Sequence, residues 1–137
     1  MASACGQENP EKSALIETMS KRSVVIIDDD GDIRSFLRVI INAGDYIVMG
    51  EGGSIAAAKS ILSERVPHIL LLDINLEGGS GLDVLEYLHK QYPDTKIIMI
   101  SGDATSDNVK KALTQGAAGF IAKPFKHETV IQALDRV

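Results

Sequence analysis

At 137 residues the chain fits a single domain long enough to bury a core. Its 45% hydrophobic and 24% charged content is that of an ordinary globular protein, and its net charge of −5 excludes a general nucleic-acid or anionic-membrane surface. The one cysteine, Cys5, can form no internal disulfide, which points to a reducing cytoplasm. No apolar run approaches the ~18 residues of a membrane span. The start has neither a basic nor an apolar signal-peptide region, and Ala2 excludes N-myristoylation.

Residues 1–22 are mixed and polar and read as a disordered tail, in which Leu15, Ile16 and Met19 could form a short amphipathic turn. The first strand is the β-branched run Ser23 to Ile27, which ends in Asp28-Asp29-Asp30. From Gly31 the apolar period becomes helical at Ile33, Phe36, Leu37, Ile40 and Ile41. Asp30 suits the N-cap of that helix, and Asn42-Ala43-Gly44 closes it. Tyr46 to Met49 reads as a short strand followed by a flexible loop, Gly50 to Gly53. Ser54 then caps a helix with Ile55, Ala58, Ile61 and Leu62 on one face, ending before Pro67.

The stretch Ile69-Leu70-Leu71-Leu72-Asp73 is a continuous apolar run closed by one carboxylate, the pattern of a strand buried on both faces. Leu82, Leu85 and Leu88 mark the next helix, stopped by Tyr92-Pro93. Lys96 to Ile100 is a strand ending in Ser101-Gly102-Asp103. A helix from Ser106 carries Val109, Ala112 and Leu113 and ends at Gly116. Phe120 to Ala122 is a brief strand, and Lys123-Pro124-Phe125 leads into a last helix with Val130, Ile131 and Leu134. Five strands alternating with five amphipathic helices predict an α/β fold with a doubly wound five-stranded parallel sheet covered on both faces.

Ligand sites of such sheets lie beyond the carboxyl ends of the strands. Strands one, three, four and five end in Asp28/Asp29, Asp73, Ser101 and Lys123, so these groups can converge. Crowded carboxylates raise each other's pKa unless a cation compensates them, and Mg²⁺ suits one or two carboxylates together with a phosphoryl group. With Lys123 as a point charge and Ser101 as a hydroxyl donor, the set suits in-line phosphoryl transfer onto a carboxylate. Asp30 and Asp32 read as helix-cap and first-turn charges. Asp103 reads as a loop charge placed where it could influence water attack on an acyl phosphate. His68, His89 and His127 have no ligand spacing, and Gly78, Gly79 and Gly81 read as loop flexibility without a P-loop lysine.

From about residue 23 to the C-terminus the chain resembles the receiver domain of two-component response regulators. Four segments carry the resemblance, in order and with the family's spacing. They are Ile26-Ile27-Asp28-Asp29-Asp30 with Arg34 following, Leu70-Leu71-Leu72-Asp73, Ile98-Met99-Ile100-Ser101-Gly102, and Gly116 through Phe125. The resemblance implies a flavodoxin-like (β/α)5 fold with strand order 2-1-3-4-5. It implies Asp73 as phosphoacceptor, Asp29 as a direct Mg²⁺ ligand, Asp28 acting mainly through water, and the Asn75 carbonyl as a further ligand. It also implies that Ser101 holds a phosphoryl oxygen, that Phe120 swings inward with it, that Lys123 pairs with the carboxylate and then the phosphoryl group, and that Lys123-Pro124 is cis.

The implied partners are a sensor histidine kinase or phosphotransfer protein and an output domain or protein reached through residues 105–137, with no nucleic acid or membrane contact by this segment. Whether phosphorylation brings two copies together, and whether the receiver stands alone or belongs to a longer regulator, stay open. Glu77 stands where the family commonly has proline, Ser80 where it has aspartate and Gly31 where it has proline, changes expected to affect loop rigidity and partner choice. A haloacid-dehalogenase-type phosphatase would need an aspartate at Asn75, and a flavodoxin would need a phosphate loop where three aspartates stand. A phosphate-independent interaction module remains as the alternative.

Overall fold

The computed structural model describes residues 21–137, so nearly all of the expected tail lies outside the described residues. The main strands are β1 (Arg22–Ile27), β2 (Tyr46–Gly52), β3 (Ile69–Asp73), β6 (Lys96–Ser101) and β7 (Gly119–Ala122), with a small hairpin of β4 (Asn75–Leu76) and β5 (Gly79–Ser80). The helices are α1 (Gly31–Asn42), α2 (Ile55–Glu64), α3 (Gly81–Gln91), α4 (Ser106–Thr114) and α5 (His127–Asp135). The sheet order β2-β1-β3-β6-β7 is all parallel, and counting its main strands in chain order gives the expected 2-1-3-4-5.

The strands form because their residues can be buried on both faces. Every residue of β3 is buried, as are Val24 to Ile27 of β1 and Ile97 to Ser101 of β6. Alternation divides them between two cores. Val25, Ile27, Leu70, Leu72 and Met99 pack with Leu62 of α2, Leu85 and Leu88 of α3 and Ala112 of α4. Val24, Ile26, Ile69, Leu71, Ile98 and Ile100 pack with Leu37 and Ile41 of α1 and Val130 and Leu134 of α5. Among the described residues no helix is long and apolar enough to cross a membrane.

Most helix ends follow their expected chemistry. Asp30 caps α1 by accepting from the Asp32 and Ile33 N–H groups, and Ser54 caps α2 by accepting from Ala57 N–H. The helix α4 begins at Ser106 as expected, capped by Thr105, whose hydroxyl accepts from Asn108 N–H. Gly50 to Gly52 form no flexible loop, because they continue β2 past a bulge opposite Val24 and Val25. The physical reason is close packing. A Cβ on Gly52 would lie 2.6 Å from the Ala57 Cβ, so glycine lets α2 sit tightly on the strand. His68 has a structural use at the start of β3. Its Nδ1 accepts from Ser23 N–H at 3.0 Å, while its own N–H donates to the Ser23 hydroxyl at 3.1 Å.

Candidate functional site

The parallel register sets the site at one edge. Asp73 is the last residue of β3 and Ser101 the last of β6, while Asp28 and Lys123 directly follow β1 and β7. Asp28 and Ser101 are fully buried and Asp73 is 2% exposed, whereas Asp29 is exposed. One oxygen from each of Asp28, Asp29 and Asp73 lies within 4.8 Å of the others. Lys123 Nζ is 2.7 Å from Asp28 Oδ2 and donates to Asp73 Oδ2 at 3.1 Å. The structure therefore gathers the two acidic groups, the central aspartate and the lysine as the strand ends anticipated.

Local backbone chemistry holds each group. Asp28 Oδ1 accepts from Asp30 N–H at 2.9 Å, and Asp28 N–H donates to the Gly52 carbonyl at 3.0 Å. Asp73 Oδ1 accepts from Asn75 N–H at 3.3 Å. The Ser101 hydroxyl accepts from Asp103 N–H at 2.9 Å, and the Ser101 carbonyl accepts from Lys123 N–H at 2.8 Å. The Lys123-Pro124 bond is cis.

Phe120 is partly buried against the core containing Met99, its partner across the β6–β7 ladder. Because side chains alternate along a strand, Phe120 shares that sheet face with Ser101, two residues beyond Met99. Asn75 opens β4 and is itself exposed.

The electrostatics follow from burial. Burial pushes the Asp73 carboxyl up from 3.8 to about 6, with a further rise from the Asp28 charge, against which Lys123 and the Asn75 N–H pull it down. Burial alone would lower the Lys123 pKa, but its contacts with Asp28 and Asp73 outweigh this and hold it above its ordinary value.

Asp28 Oδ2 is buried and has no aligned hydrogen-bond donor, although the lysine charge is close. Lys123 is a single charge shared between two buried carboxylates, so one negative charge is left for a further cation to offset. The oxygen-only donor set, with one exposed carboxylate at its rim, fits a hard divalent cation such as Mg²⁺. Asp28, Asp29 and Asp73 are the residues that would hold it.

Two features were not legible as functional in the sequence. Gly81, read as loop flexibility, is the first residue of α3 and has no positive φ. A Cβ there would lie 2.1 Å from the Asp73 carbonyl oxygen, and its N–H donates to the Ile74 carbonyl at 2.6 Å. It is glycine so that the helix can close against the aspartate's own backbone. The loop after Asp73 is also more ordered than its glycines suggested. Gly78 and Gly79, at φ 92° and 147°, allow the β4–β5 hairpin. Glu77 N–H donates to the Gly53 carbonyl and the Glu77 carbonyl accepts from Ile55 N–H, each at 3.4 Å. A proline at Glu77 could not make the first of these bonds.

Residues 24–135 match the family model described as the response regulator receiver domain. The chain is 35% identical over 119 residues to the chemotaxis protein CheY of Thermotoga maritima, covering 87% of this chain and 98% of that one. It is also 35% identical over 120 residues to a putative NtrX-like response regulator of Rickettsia bellii, covering 86% of this chain but only 25% of that longer protein. Among solved structures, a CheY-like receiver domain protein from Methanospirillum hungatei superposes with a TM-score of 0.78 at 27% identity, covering 85% of this chain and 92% of that one. With that match running over nearly all the described residues, the chain belongs to the response regulator receiver domain family of two-component signalling.

Proposed function

We propose that this receiver is a phosphorylation-operated switch in which Asp73 accepts a phosphoryl group from a phosphohistidine of a sensor kinase or phosphotransfer protein. The observation that carries the reading is the placement of a buried carboxylate at a strand end, 3.1 Å from Lys123 and within reach of two further carboxylates. An Asp73 oxygen attacks phosphorus in line, the P–O bond forms as the P–N bond breaks, and the histidine ring nitrogen keeps the electron pair and takes up a proton. A bound Mg²⁺ would neutralise charge between the carboxylate and the incoming phosphoryl oxygens.

The residues of the chain then divide the remaining work. Lys123, already paired with Asp73, stays with the new anionic group. Ser101 gives up the bond it accepts from Asp103 N–H and donates its own O–H to a phosphoryl oxygen, and Phe120, on the same sheet face, turns into the space vacated. The result is a shift between two pre-existing arrangements of β7 and the adjoining helices. Residues 105–137 form the output face, where Leu113 of α4 is half exposed and available to a protein partner. The chain spans about a quarter of the NtrX-like relative, so that partner is either an attached output domain or a separate protein. The phosphoryl group leaves by hydrolysis at the same site, which makes the switch self-limiting, and the setting is the cytoplasm.

Intact mass after incubation with acetyl phosphate and Mg²⁺ tests this reading. One phosphoryl adduct is expected in the wild type, absent without Mg²⁺ and absent in Asp73→Asn. No adduct at any time point, together with no binding of beryllofluoride, would favour a phosphate-independent interaction module instead.

A further inference from the structure

Asp29 is the exposed member of the acidic group, and among the described residues its carboxylate makes no hydrogen bond or ion pair. The backbone therefore sets only its Cα–Cβ direction, from which the carboxylate must reach the cation. The peptide linking Asp28 to Asp29 is held from an unexpected quarter. Arg34, one turn into α1, donates from Nη1 to the Asp28 carbonyl at 2.5 Å. Arg34 Nε in turn lies 3.6 Å from Glu51 Oε1 near the end of β2. Glu51 is itself fixed by Arg38, which donates through Nε at 2.6 Å and Nη2 at 2.8 Å to its two oxygens. Gly53 completes the clamp. A Cβ there would lie 3.2 Å from Arg34 Nη1, 3.3 Å from Asp29 Cα and 3.5 Å from the Asp28 carbonyl oxygen, so the guanidinium and the acidic turn close against bare backbone.

We infer that Arg34, braced by Glu51, is a positioning residue that fixes the Asp28–Asp29 peptide plane and so aims Asp29 at the divalent cation. The inference rests on the proposed Mg²⁺ site and extends it to a residue that touches neither cation nor phosphoryl group. A guanidinium donating to a carbonyl is a charge-assisted bond, stronger than a neutral one, and the planar fork lets one side chain serve the carbonyl and Glu51 together. Lysine offers a single point charge and can serve only one partner at full strength. An ordinary surface ion pair, by contrast, would leave cation binding untouched.

Charge and positioning predict opposite signs, which makes the inference testable. Removing a cation near three carboxylates would by Coulomb's law tighten Mg²⁺ binding. Losing the clamp would weaken it. The experiment is an NMR titration of the unphosphorylated protein with Mg²⁺ alone, for wild type, Arg34→Ala, Arg34→Lys and Arg38→Ala, with thermal unfolding to confirm the fold. Alanine is a strong helix former, so α1 is expected to survive the change.

Outer-sphere substitutions at metal sites cost about 10- to 100-fold, so Arg34→Ala is expected to raise the Mg²⁺ dissociation constant about 10-fold, the low end of that scale. Arg34→Lys should fall between it and wild type, and Arg38→Ala, which leaves the Asp28 contact in place, should change it by less than about 2-fold. Wild-type binding with an equal or tighter constant in Arg34→Ala overturns the positioning role alone. No Mg²⁺-dependent shift in the wild type overturns the cation site, and the inference with it.

Discussion

Replacing Asp73 with asparagine is expected to stabilise the metal-free fold at neutral pH and to leave its stability nearly unchanged in acid. The carboxyl is 2% exposed, and burial first, then the Asp28 charge, raises its pKa from 3.8 to about 6 in the folded chain. A raised folded pKa means that the native state binds the proton more tightly than the unfolded state does. The resulting stabilisation is fully present below 3.8 and is lost as pH rises through about 6.

Each pH unit of elevation is worth about 1.4 kcal/mol, which sets an upper bound of about 3 kcal/mol on what the wild type loses across this window. Asparagine does not titrate, and its amide oxygen can still accept from Lys123, which keeps its 2.7 Å contact with Asp28. Allowing for relaxation at this edge of the sheet, we expect Asp73→Asn to be about 2 kcal/mol more stable than wild type above pH 7, with the difference vanishing below pH 4. Urea unfolding in EDTA across pH 3.5–8 measures it, because titrating groups that do not interact with Asp73 cancel in the difference. A pH-independent difference, or an asparagine variant that is less stable at pH 8, would refute the electrostatic reasoning.

Other consequences can be checked on the same protein. Gly81→Ala places a Cβ 2.1 Å from the Asp73 carbonyl, so chemical denaturation should show a loss of about 2–4 kcal/mol. Gly116→Ala combines a φ of 109° with a Cβ 2.4 Å from His89 Cδ2, and should cost about 2–3 kcal/mol by the same assay. Lys123→Met leaves Asp28 and Asp73 without their shared cation, and NMR titration should find the Asp73 pKa higher still. If Mg²⁺ binds near 1 mM, adding about 10 mM should stabilise the native state by about 1.4 kcal/mol in urea unfolding, and Asp29→Asn should remove most of that gain.

The fold was legible where burial dictates pattern. The all-apolar run of β3 and the switch from a continuous apolar run to helical spacing at Gly31 leave few alternatives. Asp28, Asp73 and Lys123 were legible as a group because parallel strands deliver their carboxyl ends to one edge. What escaped the sequence depends on distances between backbones. Gly52 and Gly81 carry no local sign that a helix or a carbonyl comes too near for a side chain. The reach of Arg34 to the Asp28 carbonyl likewise depends on how α1 leaves the acidic turn.

Asp73 is proposed to carry the phosphoryl group, and trapping the acyl phosphate tests that assignment. Borohydride reduction after phosphorylation converts the modified aspartate to homoserine, and peptide sequencing then locates it. Homoserine is expected at position 73, only when both Mg²⁺ and phosphodonor are present. Homoserine at position 28 or 29 in place of 73, or none in a sample whose intact mass shows the adduct, would contradict it.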